Sequence, residues 1–193
     1  MIIHNLGLIE YKRAREKMQH IHTQAVIDGK NHLILCSHPN IFTVGKDDKT
    51  IYSVDFIKTD RGGAITCHSI GQNIYYFCFQ AKNPPLFYKR VIKAFKEFFK
   101  EYLPNVYYSK ENPGFYIDNR KIASLGFRYS NGVSLHGVAL NVDVDLAFHS
   151  QVPPCNLKGI IPTSLHNEGV NISQEEANKR VVKLIQRSFN DYI

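Results

Sequence analysis

The chain has 193 residues, enough for one domain with a sizeable core, and its 44% hydrophobic and 12% aromatic content marks an ordinary globular protein. No stretch has the length of an apolar membrane span, and Met1-Ile2-Ile3-His4-Asn5 shows neither a basic nor an apolar signal region, so a cytoplasmic location with no membrane partner is expected. The formal charge of +7 points to an acidic partner, but no cluster of Lys and Arg favours nucleic acid.

Taken in chain order, residues 11–27 read as a helix, with Tyr11, Ala14, Met18, Ile21 and Ala25 at three- and four-residue steps and Gly29 as terminator. His32 to Cys36 reads as a short strand closed by Ser37-His38-Pro39-Asn40, and Ile41 to Val44 continues extended until Gly45. Arg61-Gly62-Gly63-Ala64 leads into Ile65 to His68, and Asn73 to Gln80 is rich in strand-forming aromatics. Pro84-Pro85 separates this strand from a second helix, about Leu86 to Tyr102, which Pro104 ends. Three turn signals, Pro113-Gly114, Asp118-Asn119 and Asn131-Gly132, set out a meander over 114–117, 121–129 and 133–142. An irregular, proline-bearing region follows Asp145, and Ser173 with Glu176 opens a last helix as a capping box. The expected fold is α+β: one domain, 1–193, with a mixed, largely antiparallel sheet flanked by helices.

Four cysteines without a C-x-x-C pair fit free thiols in a reducing compartment. Cys36 and Cys78 sit in apolar strands and read as small buried hydrophobes. Cys155 differs. It follows Pro153-Pro154, whose fixed φ and missing N–H groups exclude a helix interior or a central strand. A loop thiol there is either a nucleophile or another inert cysteine, and a nucleophile needs a histidine, a lysine or a helix N-terminus to form thiolate. His149 is near in sequence and is one candidate base. The histidines show no metal-ligand spacing, so no metal and no cofactor are expected. In Arg61-Gly62-Gly63 the glycines uncover backbone N–H groups, and an arginine fork can take a carboxylate or phosphate. The plain alternative is a turn between strands. No G-x-x-x-x-G-K-[ST] phosphate loop is present.

Five segments in order change the reading. Arg61-Gly62-Gly63-Ala64-Ile65-Thr66-Cys67-His68 with Gly71-Gln72 resembles the R-G-G-x-x-T-Y-H-G-P-G-Q segment of lipoyl (octanoyl) transferases, within the biotin/lipoate protein ligase-like superfamily. His38-Pro39 with Thr43-Val44-Gly45 resembles H-P-x-x-x-T-x-G, and Lys121-Ile122-Ala123-Ser124-Leu125-Gly126 resembles K-I-x-S-L-G. Ser134 to Asn141 is similar to S-x-H-G-x-A-L-N, and Pro154-Cys155 falls at the family's P-C-G.

The resemblance implies that Cys155 takes an octanoyl or lipoyl group from an acyl carrier protein as a thioester. Lys121 would lower the thiol pKa and assist proton transfer. Arg61, Gly62, Gly63, Ala64, Ile65, Thr66, Cys67 and His68, with Ser124, Leu125, Gly126, Gly137, Val138 and Ala139, would form the acyl pocket. Small residues such as Gly137 and Ala139 would leave room for the chain. The acceptors would be lysines on lipoyl domains of 2-oxoacid dehydrogenase E2 subunits and of glycine cleavage H protein. Thioester to amide runs downhill, so no ATP is required.

The sequence departs from the family at Cys67 (tyrosine), at Ser69-Ile70 (glycine-proline) and at Asn156 (glycine). Cys67 would either enlarge the pocket or bring a second thiol near Cys155. Two other readings stand beside this one. An ATP-dependent lipoate-protein ligase would not need Cys155, and a non-catalytic carrier-binding relative would hold acyl groups without transferring them.

Overall fold

The computed structural model describes residues 1–152 and 159–190. The chain starts with a β-α-β crossover: β1 (Ile2–Leu8), α1 (Tyr11–Asp28) and β2 (His32–Ser37), with β1 and β2 parallel. The stripe read from sequence is the buried face of α1, and Gly29, at φ 69°, ends the helix by donating its N–H to Ala25 O. Next come β3 (Ile41–Val44), β4 (Phe56–Lys58), β5 (Thr66–His68) and β6 (Gln72–Cys78), then α2 (Pro84–Tyr102). The prolines Pro84 and Pro85 are the first two residues of α2 rather than a break before it. That position needs no N–H, and Asn83 caps the helix by accepting from Leu86 N at 3.1 Å.

The second half is β7 (Tyr107–Ser109), β8 (Gly114–Ile117), β9 (Arg120–Ser130), β10 (Val133–Asn141), the short α3 (Leu146–His149), β11 (Ile161–Pro162) and α4 (Gln174–Asn190). Asn131 and Gly132, at φ 51° and 74°, make the tight turn between β9 and β10 that the Asn-Gly pair predicts. The capping box holds: Ser173 Oγ accepts from Glu176 N, and Glu176 Oε2 accepts from Ser173 N.

Among the described residues the main sheet runs β1-β2-β6-β10-β9-β8-β7, with β11 added to the end of β9. It is antiparallel from β2 to β7 and parallel at β1–β2 and β9–β11, which is the mixed, largely antiparallel sheet expected. β4-β3-β5 form a small second sheet. Helices α2 and α4 cover one face over an aromatic core that includes Phe77, Phe79, Phe95, Phe98 and Phe115, each worth roughly 2–3 kcal/mol of burial. Helix α1 covers the other face over Ile34, Ile74 and Ala139.

Candidate functional site

Strands β9 and β10 pair in register from Ala123–Leu140 to Ser130–Val133 and form the floor of the site. The β8–β9 register shifts between Phe115 and Tyr116, so that Phe115 faces Ala123 while Tyr116 faces Lys121, leaving Ile122 as the extra residue of a bulge. Ile122 and Ala123 accordingly both join the core under α2 and α4, whereas strict alternation would bury only one of them there. The bulge therefore turns Lys121 to the face that carries Ser124, where the side chain is 3% exposed.

Two cavities meet on that face. The first lies between the floor, the Arg61–Ala64 loop and α1; it is lined by Ala64, Gly126, Gly137 and Val138, with Ile74 and Tyr76 among its walls. The second is more polar and is lined by Lys121, Cys67, Gln72, Asn141 and His149. Thr66 and Ser124 border both, so a slot leads to a polar chamber that holds a buried lysine.

The loop wall is held from several sides. Gly45 packs so close that a Cβ there would sit 1.7 Å from Gly63 O, and Lys46 N donates to Arg61 O at 3.1 Å. Arg61 donates from Nη2 to Thr43 O at 2.8 Å and Thr43 Oγ1 at 3.0 Å, and from Nη1 to Gly62 O at 2.9 Å. These bonds use the fork that could have taken an anion to shape the loop instead. Asp60 receives His136 Nε2–H at 2.8 Å and the guanidinium of Arg128, and the His136 hydrogen bond leads the effects that hold its carboxyl well below the usual carboxylate range.

From Arg61 a buried hydrogen-bond chain crosses the site in one direction. Thr43 Oγ1 donates to His68 Nε2 at 3.2 Å, and His68 Nδ1–H donates to Gln72 Oε1 at 2.7 Å. Gln72 Nε2 donates to Asn141 Oδ1 at 2.8 Å, and Asn141 Nδ2 donates to Thr163 O at 2.8 Å. Thr163 N in turn donates to Lys121 O at 3.0 Å. The amide oxygen of Gln72 requires the proton on Nδ1, and burial holds the pKa of His68 well below the ordinary value, which favours the neutral imidazole with Nε2 as acceptor.

The structure brings most of the sequence-predicted residues together. Arg61, Gly63, Ala64, Thr66, His68, Ser124, Leu125, Gly126, Gly137, Val138 and Ala139 line the slot, and Ile65, Cys67 and Lys121 line the polar chamber. Gly62 braces the loop by donating its N–H to Phe127 O at 3.4 Å. The missing Cβ of Gly137 serves strand packing rather than room for a ligand, since it would sit 1.9 Å from Tyr75 O. Cys155 lies outside the described residues. His149, six positions before it, has Nε2 2.8 Å from Ser69 Oγ, and burial pushes its pKa down to about 4, which makes it a weak base at neutral pH. Burial also raises the Cys67 thiol, so it is protonated at neutral pH. Sequence reasoning missed Tyr11, Tyr76 and His136 in the slot. His136 stood in a matched segment, but the two tyrosines look like any core aromatics.

Residues 12–186 match the lipoyl protein ligase A/B catalytic domain. The chain belongs to this family. The octanoyltransferase of Wigglesworthia glossinidia brevipalpis is 37% identical over 188 residues, covering 92% of this chain and 86% of that one. Among solved structures of the same fold, a lipoate-protein ligase A bound with ATP superposes with TM-score 0.76 at 13% identity, covering 98% of this chain and 85% of that one. The biotin protein ligase of Aquifex aeolicus gives TM-score 0.57 at 13% identity, covering 100% and 70%. The biotin/lipoate ligase-like architecture expected from the five segments is thus the observed one.

Proposed function

We propose that this member of the family is an octanoyltransferase that carries octanoyl from an acyl carrier protein to lysine ε-amines of lipoyl domains. The E2 subunits of 2-oxoacid dehydrogenases and glycine cleavage H protein would be the acceptors, in the cytoplasm. Relatives named octanoyltransferase across most of the chain support the activity. The observation that carries the mechanism is the buried Lys121 in a polar chamber at the end of the slot. Residues 1–193 act as one catalytic domain in this reading.

The acyl chain lies in the slot with its carbonyl near Ser124 and Thr66. The Cys155 thiolate, favoured by the Lys121 cation, attacks the carrier thioester; the S–C bond forms as the carrier thiol leaves and takes up a proton. The acceptor amine then attacks the new thioester, giving up a proton as the amide forms and Cys155 is released. In this reading Lys121 relays protons in both steps. Neither step consumes ATP.

Octanoyl-carrier protein without ATP should leave an adduct of one octanoyl group on the intact protein and octanoylate a lipoyl domain. Cys155→Ser should show neither product. Activity that needs free octanoate and ATP would replace this reading with a ligase, and binding without turnover would make the chain a carrier-binding relative.

A further inference from the structure

Two residues of β8, Gly114 and Tyr116, lie against the Lys121 side chain. Gly114 and Tyr116 lie two apart on one strand and so share a face, while Phe115 and Ile117 between and beyond them go into the aromatic core. A Cβ built on Gly114 would stand 2.6 Å from Lys121 Cε and 3.1 Å from Nζ, and 2.7 Å from the backbone oxygen of Ala123 on the paired strand. Gly114 has no positive φ, so the space, not the backbone conformation, is what requires glycine here. The Lys121 ammonium lies 5.1 Å from the centre of the Tyr116 ring, within range of a cation–π attraction, and the ring is fixed by Tyr116 OH donating to Asn112 O at 2.8 Å. Tyr116 is the direct register partner of Lys121 across the bulge.

We infer that Gly114 and Tyr116 are positioning residues that form the seat of the Lys121 side chain. The bulge at Ile122 brings the lysine to the catalytic face, the bare Cα of Gly114 lets its methylene chain lie flat against β8, and the Tyr116 ring stabilises the charged end. A lysine has four rotatable side-chain bonds and is otherwise costly to order. The seat selects one conformer and favours its cationic state in a buried place. The inference rests on the proposed role of Lys121 toward Cys155 and adds what holds that lysine.

The test follows the pH dependence of iodoacetamide alkylation at Cys155, resolved by peptide mass, in the full-length chain. Lys121→Ala serves as the reference and should move the profile up by about one pH unit, because removing a nearby cation disfavours thiolate. Gly114→Ala and Tyr116→Leu should move it in the same direction, with at least a tenfold loss of octanoyl transfer, while Tyr116→Phe keeps the ring and stays near the parent. Because the methyl of Gly114→Ala also meets Ala123 O, the Leu and Phe variants of Tyr116 decide. A Tyr116→Leu profile equal to the parent, beside a shifted Lys121→Ala, overturns the seat and leaves the lysine's role intact. A Lys121→Ala profile equal to the parent overturns the lysine–thiol reading, and the seat with it.

Discussion

Gln72 is the turning point of the buried polar chain, because it accepts from His68 and donates to Asn141 and to Cys67 O. Leucine fills a similar volume but leaves His68 Nδ1–H and Asn141 Oδ1 without partners inside the protein. Unmade buried hydrogen bonds of this kind cost about 3 kcal/mol in total. Gln72→Leu should therefore lower the unfolding free energy measured by chemical denaturation by that amount and reduce octanoyl transfer, since the chain ends on the backbone of Lys121. A variant as stable as the parent would show that the chain is rearranged without loss. Asn73, next along the strand, points away from this chain: its side chain ties β6 to α4 by donating to Gln174 O at 2.9 Å. The alternation of β6 thus separates a site residue from a scaffold residue within two positions.

Elements differ in how strictly their sequence is bound. The start of α4 depends on Ser173, and replacing that cap by alanine should cost about 1 kcal/mol without changing transfer, because the buried stripe of Ala177, Val181, Leu184 and Ile185 still holds the helix. The turn before β6 is stricter. Gly71 has φ +88°, its added Cβ would stand 1.9 Å from Asp143 O, and its carbonyl accepts from both Val142 N and Asp143 N. Gly71→Ala should cost about 3 kcal/mol, read in the same denaturation assay. Equal effects of the two substitutions would contradict this ranking.

Helices α1, α2 and α4 and strands β8, β9 and β10 were legible from periodicity and turn residues. What escaped has physical causes. β4, β7 and β11 are two or three residues long, too short to show a period, and α3 is a single turn in a stretch that reads as irregular. β1 is an edge strand whose residues are mostly exposed on both sides, so no alternation marks it. Matched segments placed the slot residues, but the bulge that turns Lys121 to the site depends on the register with β8, which one strand's pattern does not reveal.

At the scale of the whole molecule, four imidazoles are buried around the site: His38, His68, His136 and His149. All four have pKa values lowered first of all by burial. The unfolded chain binds protons near the ordinary histidine value of about 6.5, whereas the folded state resists them. Their stabilisation is therefore complete above that value and is lost as pH falls through the folded values. His149 alone, with a folded pKa of about 4, contributes about 3 kcal/mol over that interval. Thermal melts should fall steadily from pH 7 to pH 4, earlier than carboxylate titration alone predicts, and His149→Phe should flatten part of the slope. A melting temperature constant down to pH 5 would argue against neutral imidazoles in the fold.

The contact of Gly45 with Gly63 means that one wall of the slot is main chain pressed on main chain. Besides that contact, its position rests on the Arg61 fork and Thr43, so Arg61 and Thr43 are the side-chain handles by which mutation can move it. If the proposed reading holds, changes in the length or bulk of the acyl group accepted would arise from residues that face the slot from the other walls, such as Tyr11, Ile74 and Tyr76. Evolvability of substrate choice is in this way divided from the integrity of the loop, and the two can change independently.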